Sequence, residues 1–320
     1  MTKNMKVAAL SIAVFLSFLV LSSSSVAVEA PEPRSRSEIE AVLAKAPGAP
    51  ARRKLRRLNV ILVADKKDHG VNEHDYPLWQ KRWQLLLGGE RAGKSSETQV
   101  NLYGPAPEGS QKEIRAGAPK VNLTTAWQWP SKEQLESADL VVMFCYGKWN
   151  EQKLKDLEGF LARGGGFVAI HPAVIPDKAP SQAVARLIGL AWENDYTGWR
   201  HGPMDLKIAA DRDPICLGLP KTIHLLDEAY WPFRGDLKKV TVLATSNEKV
   251  KKDSDESRPE PMFWTYQHGK GRVMGCVLGH YNWTFDDPYV RILLLRGMAW
   301  ASGESPYRFD RLVLRGAAVK

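Results

Sequence analysis

Cysteine is scarce, and its scarcity narrows the field. The 320-residue chain has three, Cys145, Cys216 and Cys276. An odd number with no Cys-x-x-Cys spacing excludes a disulfide framework and a thiolate zinc site. Cys145 and Cys276 fall in apolar, strand-like runs, where a thiol serves as a small hydrophobe. Phosphate-cradling motifs are absent too. There is no Gly-x-Gly-x-x-Gly and no Gly-x-x-x-x-Gly-Lys-Ser/Thr, so no nucleotide cofactor is expected. Neither a Gly-x-Ser-x-Gly elbow nor a His-Glu-x-x-His helix occurs. After Leu21 no apolar run approaches the ~20 residues that span a bilayer, and there is no internal repeat.

What is present begins with a leader. Lys3 and Lys6 precede the apolar run Val7–Leu21, and small residues follow from Ser22 to Ala27. That order is a signal peptide, residues 1–27, with cleavage after Ala27, and it implies an exported protein, periplasmic or extracellular. The rival reading is an uncleaved N-terminal anchor. Residues 28–57 read as a linker with one short helix, Ser37–Lys45, and a basic cluster of Arg52, Arg53, Lys54, Arg56 and Arg57. The net charge of +9 is partly this cluster. In an exported chain it reads as a solvated linker or an anionic envelope contact; nucleic acid is not an expected partner.

Residues 58–303 carry an alternating pattern. Strands are expected at Asn59–Ala64, Gln99–Tyr103, Asp139–Cys145 and Phe167–Ile170. Helices are expected at Tyr76–Leu87, Ser131–Ser137 and Asn150–Arg163. Such alternation implies right-handed crossovers and a mostly parallel sheet covered by helices on both faces. Beyond Ser181–Gly189 the pattern loosens into strands at Met204–Ala209, Thr222–Leu226, Val240–Thr245, Met262–Gln267 and Arg272–Leu278. Asn247–Glu260 reads as a charged, solvated loop. Asp286–Ala301 closes the domain as a helix capped by Asp286 or Asp287. Residues 304–320 form a C-terminal tail.

The run Gly164-Gly165-Gly166-Phe167-Val168-Ala169-Ile170-His171-Pro172 is the centre of the pattern. Glycine accepts the left-handed turn that stops a helix, and the apolar run then delivers His171 to a strand's carboxyl end, where open α/β sheets place their ligands. Other strand ends carry Asp65, His69, Tyr146, Trp149, Glu228 and His280. Histidine is the usual acid/base near neutral pH and the commonest nitrogen ligand for metals. His171, Glu228 and His280 are therefore the catalytic candidates. Asp65, Tyr146, Trp149, Trp199 and Arg200 are the substrate-binding ones, the tryptophans as platforms for a sugar ring.

Together, Gly164–Pro172, Trp199-Arg200-His201-Gly202-Pro203, Asp227-Glu228-Ala229-Tyr230 and the stretch Pro261–His280 resemble the ThuA-like (trehalose utilisation) family. The resemblance implies a flavodoxin-like fold, similar to class I glutamine amidotransferases. In that wider group a cysteine nucleophile stands where His171 stands here. An imidazole cannot form the thioester that amide hydrolysis by that route needs, so glutaminase activity is not expected. The family implies chemistry on a small carbohydrate, a glycoside or 3-keto-sugar, and a divalent metal, zinc or similar, held by some of His69, His171, His201 and His280. The alternative is a non-catalytic carbohydrate-binding module. Pro172 and Arg200 depart from the family's usual residues. A homo-oligomer stays open.

Overall fold

The computed structural model describes residues 28–89, 117–250 and 254–320. Pro31–Lys320 forms one compact unit. The leader, and the strand expected at Gln99–Tyr103, lie outside the described residues.

Nine strands make one sheet. They are β1 (Leu58–Ala64), β2 (Val121–Trp127), β3 (Leu140–Phe144), β4 (Gly166–Ile170), β6 (Gly198–Ile208), β7 (Thr222–Trp231), β9 (Val240–Lys249), β10 (Ser257–His268) and β11 (Gly271–Cys276). Their order is β2-β1-β3-β4-β11-β10-β9-β6-β7. The first five run parallel, in the strand order of flavodoxin-like sheets. The rest extend the sheet antiparallel. Two short strands, β5 (Leu190–Ala191) and β8 (Arg234–Gly235), pair apart. The expected α/β class is therefore what is found: a mixed sheet, parallel at its centre.

β3 and β4, at the centre of the parallel strands, are buried along their whole length, because helices cover both faces. The helices are α1 (Arg36–Ala44), α2 (Tyr76–Gly88), α3 (Lys132–Ser137), α4 (Glu151–Ala162), α5 (Ser181–Ile188) and α6 (Pro288–Ala301). Side-chain caps start four of the six. Asp75 accepts from the Leu78 amide, Ser131 and Gln134 form a capping box, and Asn150 accepts from Lys153. Asp287 caps α6 through the Tyr289 and Val290 amides. Gly164 ends α4 at φ +98°. A Cβ on Gly165 would strike Phe160 of α4, and one on Gly166 would strike Ala301 of α6, so the two helices press on opposite faces.

Three stretches differ from the sequence reading. Asn247–Glu260 supplies the ends of β9 and β10, which pair from Lys249 with Ser257 to Val240 with Tyr266. Polar residues there masked a hairpin arm whose outer end is solvated. β2 begins at Val121, and it alternates exposed and half-buried residues, as an edge strand does. The short helix expected in the linker is present as α1, but it packs on the core through buried Ile39 and Val42. At the far end, Phe309, Leu312 and Val313 are buried, and Arg34 forms a parallel bridge with Val319. No helix among the described residues is long and apolar enough to cross a membrane. All three cysteines are buried and unpaired.

Candidate functional site

The carboxyl ends of the parallel strands gather His74, His171, Glu228 and His280, with one ligand-type atom from each within 4.8 Å of the others. Four separate segments deliver them. His171 follows β4 directly. His280 follows β11 after a turn at Gly279. His74 precedes α2 in the loop after β1. Glu228 comes from β7, in the antiparallel extension. All four are buried.

The backbone is strained where it presents them. His74 (φ +41°) and His171 (φ +53°) both occupy the left-handed region, which costs a non-glycine residue about 1–3 kcal/mol. Such outliers persist where surrounding structure enforces them. Gly279 takes φ +134°, and its Cα comes so near that an added Cβ would lie 3.3 Å from the His171 Cβ.

Hydrogen bonds fix the rings. His171 Nδ1 lies 2.5 Å from the Val277 carbonyl oxygen, which only accepts, so Nδ1 carries the proton. His74 Nδ1 donates to Asp68 Oδ1 at 3.0 Å. Burial tends to raise the Asp68 pKa, but hydrogen bonds from His74 and His69 outweigh it and bring it down to about 2. Burial, with the neighbouring histidines His171, His69 and His280, lowers His74 to about 3, so its ring is neutral.

The consequence is geometric. With both Nδ1 atoms protonated, the Nε2 atoms of His74 and His171 face each other at 2.8 Å. Two neutral rings would present lone pair to lone pair. His280 Nδ1 stands 3.0 Å from the same His74 Nε2, and Glu228 Oε2 is 3.1 Å from both His171 Nε2 and His280 Nδ1. Three nitrogens and an oxygen thus point at one place that asks for a cation, either a proton or a metal ion. Burial raises the Glu228 pKa; when the cation at the centre is a proton, hydrogen bonds from His171 and His280 override burial and hold the carboxylate ionised.

The surroundings complete this arrangement. Tyr230, two residues along β7 from Glu228, stacks on His171 and puts its hydroxyl 3.0 Å from His171 Nε2. His201 Nε2 reaches the outer Glu228 oxygen at 3.0 Å, because β6 and β7 pair His201 directly with Glu228. Buried Asp227 accepts from the amides of Glu228, Gly279 and His280 and from the Thr284 hydroxyl, tying β7 to the turn after β11. His280 Nε2 is buried without a hydrogen-bond partner, 3.5 Å from Glu73 Oε1.

The sequence candidates divide accordingly. His171, Glu228 and His280 meet at the centre. His201 flanks His280 (rings 4.2 Å apart) and is part-exposed. His69 lies outside the four, bonded to Asp68 and packed on His74 with ring centres 3.7 Å apart. Trp199 is 57% exposed beside His201 and offers a free ring face. Trp149 is buried, its indole donating to the Ala173 carbonyl. Tyr146 is half-buried. Asp65 is held by Lys148, Gln128 and the Lys66 amide, and Arg200 is spent on a bidentate pair with Glu248. His74 and Tyr230 carry the geometry without having been singled out. A histidine in a polar loop has no periodicity to mark it, whereas the Glu228-Ala229-Tyr230 spacing puts two polar residues on one strand face and could have marked the tyrosine.

A family model described as trehalose utilisation (ThuA) matches residues 96–301. The chain belongs to the ThuA family. The match covers His171, His201, Glu228, Tyr230 and His280; the loop that supplies Asp68 and His74 precedes it. Two solved structures share the fold. A ThuA-like protein from Parabacteroides merdae is 20% identical, with a TM-score of 0.51, covering 78% of this chain and 92% of its own. One from Bacteroides uniformis is 18% identical, with a TM-score of 0.53, covering 82% and 98%. No curated protein matches the chain.

Proposed function

We propose that this ThuA-family chain is an exported enzyme acting on a small carbohydrate, a keto-sugar or glycoside, at the His74–His171–Glu228–His280 centre. One observation carries the reading: the facing lone pairs of His74 and His171, fixed by Asp68 and the Val277 carbonyl. A purely structural histidine pair would arrange donor against acceptor. Carboxylate and carbonyl partners on the far nitrogens are also what orients metal-binding imidazoles. The donor set, three imidazole nitrogens and one carboxylate oxygen, suits zinc or a similar divalent ion. When bound, such an ion supplies Lewis-acid polarisation of a carbonyl or glycosidic oxygen.

The chain's own groups handle the proton and the sugar. Glu228, held ionised, takes a proton next to the carbonyl through Oε1 and shares it with His201 Nε2, which reaches solvent. Tyr230, protonated because burial raises its pKa well above the usual phenol range, donates a hydrogen bond to an oxygen at the centre. Trp199 stacks on the apolar face of the ring.

Metal analysis of the purified protein and of His171→Ala, followed by incubation with 3-keto-disaccharides, tests the reading. Near-stoichiometric metal in the parent, loss in the variant, and turnover of a keto-sugar by the parent alone are expected. Tyr230→Phe should keep the metal and lose turnover. Sugar binding without turnover would leave the binding-module reading. Absence of bound metal, of any metal-induced thermal shift and of turnover would overturn the proposal.

A further inference from the structure

The amino end of the parallel sheet carries a second charged feature, opposite in character to the histidine centre. Arg52, Arg53 and Lys54 form a single exposed turn just before β1, and Arg57 follows, also exposed. Arg311 joins them across the fold: its pKa is lowered by burial and then by repulsion from Arg52 and Arg308. Lys120, at the start of β2, reaches the Leu55 carbonyl beneath the same turn.

The nearby acids are taken. Asp139 and Glu304 both pair with Arg56, and Glu304 also holds Arg308. Among the described residues, no carboxylate forms an ion pair with Arg52, Arg53, Lys54, Arg57 or Arg311. Five like charges without counter-ions repel one another. Arg52, Arg53 and Lys54 share one turn, and Arg311 lies near enough to Arg52 to be repelled by it.

We propose that this patch docks the protein onto an anionic lipid surface. A flat layer of phosphate headgroups asks only for point charges, each adding to attraction within a Debye length. Nucleic acid asks for more. Single strands need aromatic platforms, and the only apolar residue between Arg52 and Arg57 is Leu55, which is buried. A duplex groove needs a helix or ribbon to enter it, and the turn is three residues long. Docking by this end turns the catalytic rim outward, because β1 separates the two by its seven residues, roughly 20 Å.

Co-sedimentation with phosphatidylcholine vesicles, with and without phosphatidylglycerol, tests the proposal across a salt series. The parent chain should bind only the anionic vesicles and be released by salt. The triple variant Arg52→Ser, Arg53→Ser, Lys54→Ser should bind them about 100-fold more weakly. Lys238→Ser with Lys239→Ser, which removes two exposed charges from another loop, should bind as the parent does. The same leader in every variant cancels any contribution of its apolar run. Equal binding by parent and triple variant, equal binding to neutral vesicles, or tighter binding to a double-stranded oligonucleotide than to anionic vesicles would each overturn it.

Discussion

Two buried clusters of charged and polar side chains lie within this one domain, and they are built by opposite rules. In the first, Arg291 and Arg296 of α6 are fully satisfied. Arg291 donates to Asp286 at 2.9 Å and to the carbonyls of Phe285, Arg315 and Gly316. Arg296 forms a bidentate pair with Asp310 and donates to the Leu217 carbonyl. The donors of Arg291 and Arg296 meet acceptors, although Asp286 Oδ2 is left without a donor, and the cluster pins residues 306–316 against the core. In the second, His74 and His171 turn unprotonated ring nitrogens toward each other, beside His280 and an ionised carboxylate. A closed network specifies a fold, whereas an open one stores a site for something else.

The sharpest way to break the comparison is to delete one member of each. Arg291→Ala leaves buried Asp286 with Arg82 as its remaining arginine partner and strips three carbonyls of their donors, and should cost about 3–5 kcal/mol in urea unfolding. His74→Leu removes one acceptor from a crowd of acceptors, while Tyr76 and His69 still donate to Asp68. In metal-free protein its cost should stay within about 1 kcal/mol. A His74 variant as unstable as the Arg291 variant would show that the histidine centre is structural cement too.

Metal titration then sharpens the contrast. Asp68→Asn and Glu73→Gln leave the inward-facing nitrogens in place and weaken only what lies behind His74 and His280. Each should weaken zinc binding about 10–100-fold by calorimetry while leaving urea midpoints near the parent value. Asp68→Asn should do more, since Asp68 bonds His74 at 3.0 Å and Glu73 stands 3.5 Å from His280. Unchanged affinity in both would detach the outer carboxylates from the centre.

How far the sequence discloses this depends on the distance between the parts. The Gly164–Ile170 run, the capping box at Ser131 and the Asp287 cap are local, and a pass along the chain reads them. The parallel core follows from alternation. The antiparallel extension is harder, because β9 and β10 end in polar residues that serve a solvated hairpin, and polarity there resembles a loop. At the site, His171 and His280 are legible as strand ends. His74 is not, since only the positive φ and the Asp68 bond turn it inward, and neither leaves a periodic trace. Trp149 shows the converse. A tryptophan at a strand end invites a ligand reading, yet Gly147 lies so close to its indole that an added Cβ would be 2.2 Å from Nε1, and the ring belongs to the core.

The last effect to look for is a slope in acid. His74 is held neutral, its pKa brought down from 6.5 to about 3. A depressed pKa adds stability that is complete above 6.5 and is lost as pH falls toward 3, because the unfolded chain takes up the proton first. Asp68 extends the loss as pH falls from 3.8 toward 2. His280 works the other way: burial lowers its pKa, but the hydrogen bond it donates to the Glu228 carboxylate, with that group's charge, outweighs this and raises it. Its stability is therefore present below 6.5 and lost above. The three predict a metal-free protein whose stability falls on acidification, by at most about 1.4 kcal/mol per pH unit for the single His74 proton. His74→Gln should flatten urea midpoints between about pH 4 and 6, while Arg291→Ala should shift them without changing their slope. Identical slopes in the parent and His74→Gln would mean that His74 is not the group that takes up the proton, and that the crowding of acceptors is relieved elsewhere in the centre.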